Sequence, residues 1–253
     1  MFDIVEPTDE QLTSLLLYGL PKTGKSTILA DLTIKESNSL VISTDPKGYH
    51  FLKARVKQVD DYKEFNKLLD ELSNVKLKYL IIDTVTQLDI WSEIVGTYMY
   101  MKSVQGKSFN RDGKGNPILY GDEGFTSVYN LANGAGYQYS REVMMEWFRK
   151  FQKIAERVIL VAHVKDKKVE SKLQDIVDVA DINLTGKVKS IWSSVVDGIG
   201  FVYRDKTECY ISFEAKQDVI AGCRLARLSN QNIMISDGTT VNWDKIYSDI
   251  KIK

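Results

Sequence analysis

The sequence predicts an α/β fold: a mostly parallel sheet flanked by helices and extended by antiparallel strands in the C-terminal third. Three observations carry that prediction. Apolar runs of strand length alternate with helix-patterned stretches through the first two-thirds of the chain, and such alternation implies parallel strands covered by helices on both faces. A glycine-rich segment, GLPKTGKS at Gly19–Ser26, joins one such run to one such helix. Near residue 195 the pattern changes to short strands around polar turns. With 253 residues, 43% of them hydrophobic, the chain fits a single domain spanning 1–253. Its core is expected over about 12–228, with a short segment at 1–11 and a tail at about 229–253.

Taken in order, Leu12–Tyr18 is an apolar strand, and the helix that begins near Lys25 carries Ile28, Leu29, Leu32 and Ile34. Strands follow at Leu40–Ser43 and Arg55–Val59. A helix at about 60–74 sets Tyr62, Phe65, Leu68, Leu69 and Leu72 at three- and four-residue spacing. Tyr79–Ile82 is a buried strand ending in Asp83, and 86–105 reads as helix. Residues 106–124, rich in Gly, Asn, Asp and Lys, read as loop. A long amphipathic helix is expected at about 140–156 and a buried strand at Val158–Ala162. Val195–Tyr203 and Glu208–Phe213 form a hairpin pattern around Arg204–Thr207, and Ala226–Ile235 adds one or two short strands.

Charge is balanced, 34 basic against 34 acidic residues, so the overall field does not steer the chain to a polyanion. Any such site must be a local basic loop. Cys209 and Cys223 are too few for a disulfide framework and match no zinc spacing. They could face each other across a hairpin, but a reduced pair in the cytosol is the expectation. The acidic start MFDIVEPTDEQ lacks an apolar signal region and no run approaches transmembrane length. A cytoplasmic protein with no membrane contact is expected.

GLPKTGKS is a complete Walker A sequence in the strand–loop–helix context that the motif needs. It implies binding of a nucleoside triphosphate, ATP, with Mg2+. Gly19 and Gly24 permit backbone angles that turn successive amides toward a phosphate, a cradle that runs through Pro21, Lys22 and Thr23 to Thr27. The helix start adds its dipole. Lys25 is expected to reach the β- and γ-phosphates and the Ser26 hydroxyl to hold the metal. YLIID at 79–83 has the Walker B pattern of four apolar residues and an acid. Asp83 at the C-terminal strand edge would hold Mg2+, although an Asp there can also cap the next helix.

The order of Walker A, VISTD at 41–45, LIIDTVTQL at 80–88, VILVAH at 158–163 and a hairpin-rich tail resembles the RecA-like P-loop NTPase core. Within it the chain looks like the compact phage RecA-like ATPases associated with single-strand annealing. The resemblance spans about 12–228 and rests on one specific motif plus the order of weaker ones. It implies a DNA-dependent ATPase that binds single-stranded DNA and forms a homo-oligomer, filament or ring, with ATP at subunit interfaces. It gives Asp45 the water-positioning role usually held by Glu, one methylene longer; Asp45 before Pro46 also reads as an ordinary turn residue. It makes His163 a γ-phosphate sensor, against a histidine simply satisfied at a strand end.

The resemblance also places DNA-binding loops at about 103–124 and 164–186. The first offers Lys107, Phe109, Arg111 and Lys114, and from Lys102 to Asn116 it carries four basic residues against one acid. Cations and aromatics together suit single strands, although the aromatics could instead anchor the loop to the core. The second segment is nearly balanced in charge. Lys216, Arg224 and Arg227 lie where trans-acting groups from a neighbouring subunit are expected, and each is equally compatible with surface ion pairs. Two other functions stay open: a nucleotide-gated DNA-binding module with little turnover, and a small-molecule P-loop kinase, for which no arginine-rich lid is visible. A hexameric helicase motor shares the core but has no specific segment here.

Overall fold

The computed structural model describes residues 11–170, 176–216 and 219–250, and for 166–170 and 176–179 the backbone alone. A central sheet runs through strands β1 (Ser14–Gly19), β2 (Ser39–Ser43), β3 (Val56–Gln58), β4 (Leu77–Asp83), β5 (Ala155–Glu170), β7 (Gly198–Asp205), β8 (Glu208–Ser212) and β10 (Asn232–Ser236). Their spatial order is β10-β8-β7-β1-β5-β4-β2-β3. Pairing is parallel from β7 through β3 and antiparallel for β7 with β8 and β8 with β10. The result is a mostly parallel sheet flanked by helices, with antiparallel strands in the C-terminal part, as expected.

Unbroken apolar runs in the central strands reflect burial on both faces. Leu16 and Tyr18 of β1, Leu80 and Ile82 of β4, and Leu160 and Ala162 of β5 belong to one core. That core is covered by α2 (Tyr62–Glu71), α3 (Val85–Lys102), α4 (Tyr137–Ile154) and α5 (Gly186–Val195). Leu15, Leu17, Tyr79, Ile81, Ile159 and Val161 face the opposite core, which includes Ile28, Leu29 and Leu32 of α1 (Lys25–Lys35). Trp243, Ile246, Tyr247 and Ile250 fill the same layer, and the Trp243 indole donates to the Ile28 carbonyl at 2.7 Å. The segment read as a tail is therefore integral to the packing of α1.

Local chemistry sets several boundaries. Asp61 caps α2 by accepting from the Lys63 and Glu64 amides at 2.7 and 2.8 Å. Glu64 in turn accepts from the Asp60 amide at 3.0 Å, so the helix begins within the expected span. The stretch between α3 and α4 is ordered by buried Asn110. Its side chain donates to the Thr126 carbonyl at 2.8 Å and accepts from the Thr126 amide at 2.9 Å. Thr97 accepts from the Val128 amide at 3.0 Å.

Three sequence expectations need correction. The strand expected at Val158–Ala162 extends as β5 to Glu170 and pairs antiparallel with β6 (Ile176–Ile182), so a hairpin replaces most of the expected 164–186 loop. Val195 does not start a strand; it ends α5. Val188 and Trp192, four residues apart, bury one face of that helix, and Lys189 pairs with Asp181 at 2.6 Å. The chain turns at Asp197, whose carboxylate accepts from the Thr13 and Ser14 amides at 3.0 and 2.9 Å, and only then enters β7. Within Ala226–Ile235, the stretch ahead of β10 is turn, including Asn230 in the left-handed region at φ 60°. The strand that pairs with the start of β7 is β9 (Gly222–Cys223), upstream of the expected span. Cys209 and Cys223 are both free.

Candidate nucleotide site

Strands β1 and β4 end on either side of β5, with Gly19 in register with His163 and Asp83 with Val161. Gly19, Asp83 and His163 therefore come together at one edge of the parallel sheet, past which only β5 of the three continues. Gly19 is packed tightly against β7: a Cβ there would lie 2.1 Å from the Val202 carbonyl oxygen. The turn that follows has Lys22 at φ 64° and Gly24 at φ 100°, and α1 begins at Lys25. A cleft of about 480 Å³ opens on this turn. It is lined by Pro21, Lys22, Gly24, Lys25, Ser26 and Thr27 on one side and Asp45, Asp83, Thr84 and His163 on the other, with Arg204 at its rim. A larger groove, about 820 Å³, runs along α3 beneath the 111–122 stretch. Size alone favours that groove, but the smaller cleft holds the buried charges and is the better chemical site.

Lys25 is buried, and its ammonium donates to the Gly19 and Leu20 carbonyls, both at 2.8 Å. Desolvation pulls its pKa down, and nearby Asp83 acts against that. Asp83 is only 5% exposed. One of its oxygens, Oδ2, accepts from the Ser26 hydroxyl and from the Tyr49 hydroxyl, each at 2.9 Å. Burial raises the Asp83 pKa, opposed by those two hydrogen bonds and by the charges of Lys25 and His163. A buried carboxylate beside a hydroxyl at a helix N-terminus is an oxygen donor set of the kind Mg2+ takes. Ser26 and Asp83 therefore fit that ion. Among the described residues no cluster of three His, Cys, Asp or Glu side chains is placed to hold a metal ion.

Asp45 lies at the cleft in an exposed turn, its carboxylate accepting from the Lys47 amide at 3.0 Å. It thus keeps both of its sequence-level descriptions, turn residue and cleft residue. His163 follows the apolar part of β5; its amide donates to Thr86 at 3.0 Å and its carbonyl accepts from the Asn183 amide at 2.9 Å. The strand edge and the foot of the β5–β6 hairpin are tied together through it.

The remaining expected residues lie elsewhere. Lys107, Arg111 and Lys114 are exposed on the α3–α4 connection. Phe109 is half-buried, edge-on to Tyr100 with ring centroids 5.1 Å apart, so it anchors the loop. Tyr120 is the more exposed ring there, at 58%. Arg224 and Arg227 are at the opposite end of the sheet. Arg224 pairs with Asp197 at 3.5 Å, and Arg227 donates to the Ile246 carbonyl at 2.6 Å. Lys216 is paired with Glu214 at 2.8 Å. Side chains of 166–179, within the second expected DNA loop, lie outside the described residues.

Two cleft residues escaped the sequence reading, Tyr49 and Arg204. Tyr49 sits in DPKGYH, six residues past the strand, where nothing in the pattern marks it. Arg204 looked like a turn residue, and only the pairing of β7 with β1 brings it to the glycine-rich turn.

No match is found among curated proteins. Among solved structures the chain is similar to the crystal structure of the RadB recombinase, at 13% identity over 89% of this chain and 88% of that one, with a TM-score of 0.43. A family model described as an AAA domain matches residues 12–225, from the first strand past β9, and takes in the whole cleft. The chain belongs to the AAA domain family.

Proposed function

We propose that this protein is a Mg2+-dependent, RecA-like ATPase that binds single-stranded DNA as a homo-oligomer and promotes annealing or recombination. The observation that carries the reading is the pairing of Ser26 with Asp83 at 2.9 Å beside buried Lys25, at the start of α1 and the end of β4. Lys25 and the α1 amides would bind the phosphate chain, and Ser26 and Asp83 would hold the metal. When bound, the ion supplies charge neutralisation between phosphate oxygens. Asp45 and His163 face the same cleft from the β2 and β5 edges and would position water and register the terminal phosphate. Exposed Lys107, Arg111 and Lys114 support the DNA part of the proposal. The absence of a transmembrane-length apolar helix among the described residues is compatible with action in a cytoplasm, a phage host's included.

Phosphate release measured with and without single-stranded DNA tests this, paired with electron microscopy of the same mixture for filaments or rings. Stimulated turnover without phosphorylation of a small acceptor supports the ATPase; transfer to an acceptor supports a kinase. Asp83→Asn is expected to abolish turnover and Mg2+ dependence together. Asp45→Asn is expected to lower turnover while sparing nucleotide binding. A second reading, a nucleotide-gated DNA-binding module, is favoured by the Asp45 carboxylate being engaged by the Lys47 amide at 3.0 Å. It predicts ATP-dependent DNA binding with almost no phosphate release, and unchanged release in Asp45→Asn.

A further inference from the structure

The cleft has two unlike sides. Toward β4 and β5 stand Ser26, Asp83 and His163; toward β7 stands the hairpin β7–β8, which rises past the sheet edge alongside the glycine-rich turn. That hairpin touches the turn directly. The Cys209 thiol donates to the Thr23 carbonyl at 3.3 Å, and a Cβ built on Gly24 would lie 3.2 Å from Arg204 Nη2 and 3.5 Å from Cys209 Sγ. Arg204 is otherwise exposed and lines the cleft, and its charge acts on the buried Cys209 thiol, opposing the rise in pKa caused by burial. An arginine fork at this point is aimed at whatever occupies the turn.

Orientation of the ligand follows from the metal side. Ser26 and Asp83 would hold a cation that neutralises the terminal phosphates, drawing that end of a bound nucleotide toward β4. The nucleoside end of the phosphate chain would then lie toward β7, the side where Arg204 stands. We propose that Arg204 binds the nucleoside-proximal phosphate from within the same chain and serves ADP and ATP alike. This assignment rests on the nucleotide-binding reading above. It differs from the trans-acting roles expected of Lys216, Arg224 and Arg227, and from a terminal-phosphate sensor, which would favour ATP over ADP. Guanidinium suits the role because it presents paired donors to phosphate oxygens, where lysine offers a point charge.

The test is titration of fluorescent N-methylanthraniloyl ADP and ATP into wild type, Arg204→Ala and Arg204→Lys, with unliganded melting temperatures as the folding control. Arg204→Ala is expected to weaken both nucleotides by the same factor, roughly tenfold for a charge-assisted contact at a solvent-facing rim. Arg204→Lys is expected to recover part of the loss. The apparent KM for ATP should rise while kcat stays near wild type, since the contact is made before and during turnover alike. Wild-type affinity for both nucleotides in Arg204→Ala overturns the assignment, and so does a loss confined to ATP. A wild-type protein that binds neither nucleotide overturns the ATPase reading itself, a separate outcome.

Discussion

At the scale of single residues, Asp83 is the centre of the site, and its environment makes specific demands. A carboxylate 5% exposed is costly to keep ionised unless hydrogen-bonded or paired. Here Ser26, Tyr49 and the Lys25 charge share that task. If Ser26 turns to a metal, Tyr49 remains the hydroxyl that orients Asp83. Tyr49→Phe should therefore shift the Mg2+ dependence of nucleotide binding to higher concentration, by roughly tenfold, with little change in Mg2+-free nucleotide affinity. Fluorescent nucleotide titrations at several Mg2+ concentrations read this directly; an unchanged Mg2+ midpoint would show the tyrosine to be packing only. Lys25→Ala should cut phosphate release by at least about 100-fold, because it removes the cation facing the phosphates. Unchanged release by a folded Lys25→Ala protein would sink the ATPase assignment. Lys25, Ser26 and Asp83 were legible because their motifs are local in sequence. Tyr49 and Arg204 were not, since each reaches the cleft through tertiary placement that no spacing encodes.

At the scale of elements, the approach of β1 to β7 leaves no room for a side chain at the first motif glycine. A Cβ at Gly19 would sit 2.1 Å from the Val202 carbonyl, and backbone cannot yield as a flexible side-chain end can. Gly19→Ala is expected to destabilise the protein by about 3 kcal/mol or more. Gly113, with open space around it, should accept Ala within about 0.5 kcal/mol. Denaturant midpoints of the two variants check both numbers. A second element-level constraint is Asp89 on α3, which is 6% exposed and accepts from the Thr185 amide ahead of α5 at 2.6 Å. Its other oxygen has no partner, and burial raises its pKa. A raised folded-state pKa contributes stability fully present below the unfolded value and lost as pH rises through the folded one. Asp89→Asn keeps the acceptor without the charge, so the margin of its melting temperature over wild type should grow as pH rises above the ordinary carboxylate range and level off once folded Asp89 is ionised. A margin independent of pH would show that Asp89 ionises in the folded protein as it does in the unfolded chain. Elements with strong periodicity, β1, α2, β4 and α4, were legible from spacing. The β5–β6 hairpin was not, because alternating charge in VKDKKVESK reads as solvated loop until its pairing is known. Lys187 and Lys189 already suggested a helix start, but the end of α5 was obscured by a Val- and Ser-rich composition that suits strands as well.

Over the whole molecule, balanced charge would make the proposed DNA binding a local matter. With 34 basic and 34 acidic residues, no global field gathers a polyanion, and affinity must come from a few cations near one another. The α3–α4 connection supplies exposed Lys107, Arg111 and Lys114 on a loop that Asn110 and Thr97 hold in shape. Phe109 is committed to Tyr100, while Tyr120, edge-on to Phe125 at 5.6 Å and 58% exposed, is free to meet a base on its outer side. Single-strand contacts lower the salt slope by about 0.7 per phosphate neutralised. Replacing Lys107, Arg111 and Lys114 together with Ala should therefore flatten the log–log salt dependence by about 2 and weaken binding at low salt, with ATP binding unchanged in the absence of DNA. Tyr120→Ala should lower affinity with the slope intact, because stacking releases no counterions. Phe109→Ala should instead lower the melting temperature, as the loop loses its anchor on α3. Fluorescence anisotropy of a labelled oligonucleotide across a salt series distinguishes these effects. Wild-type affinity and slope in the triple variant would show that the connection is a solvated crossover and that any DNA contact is made by another face of the protein.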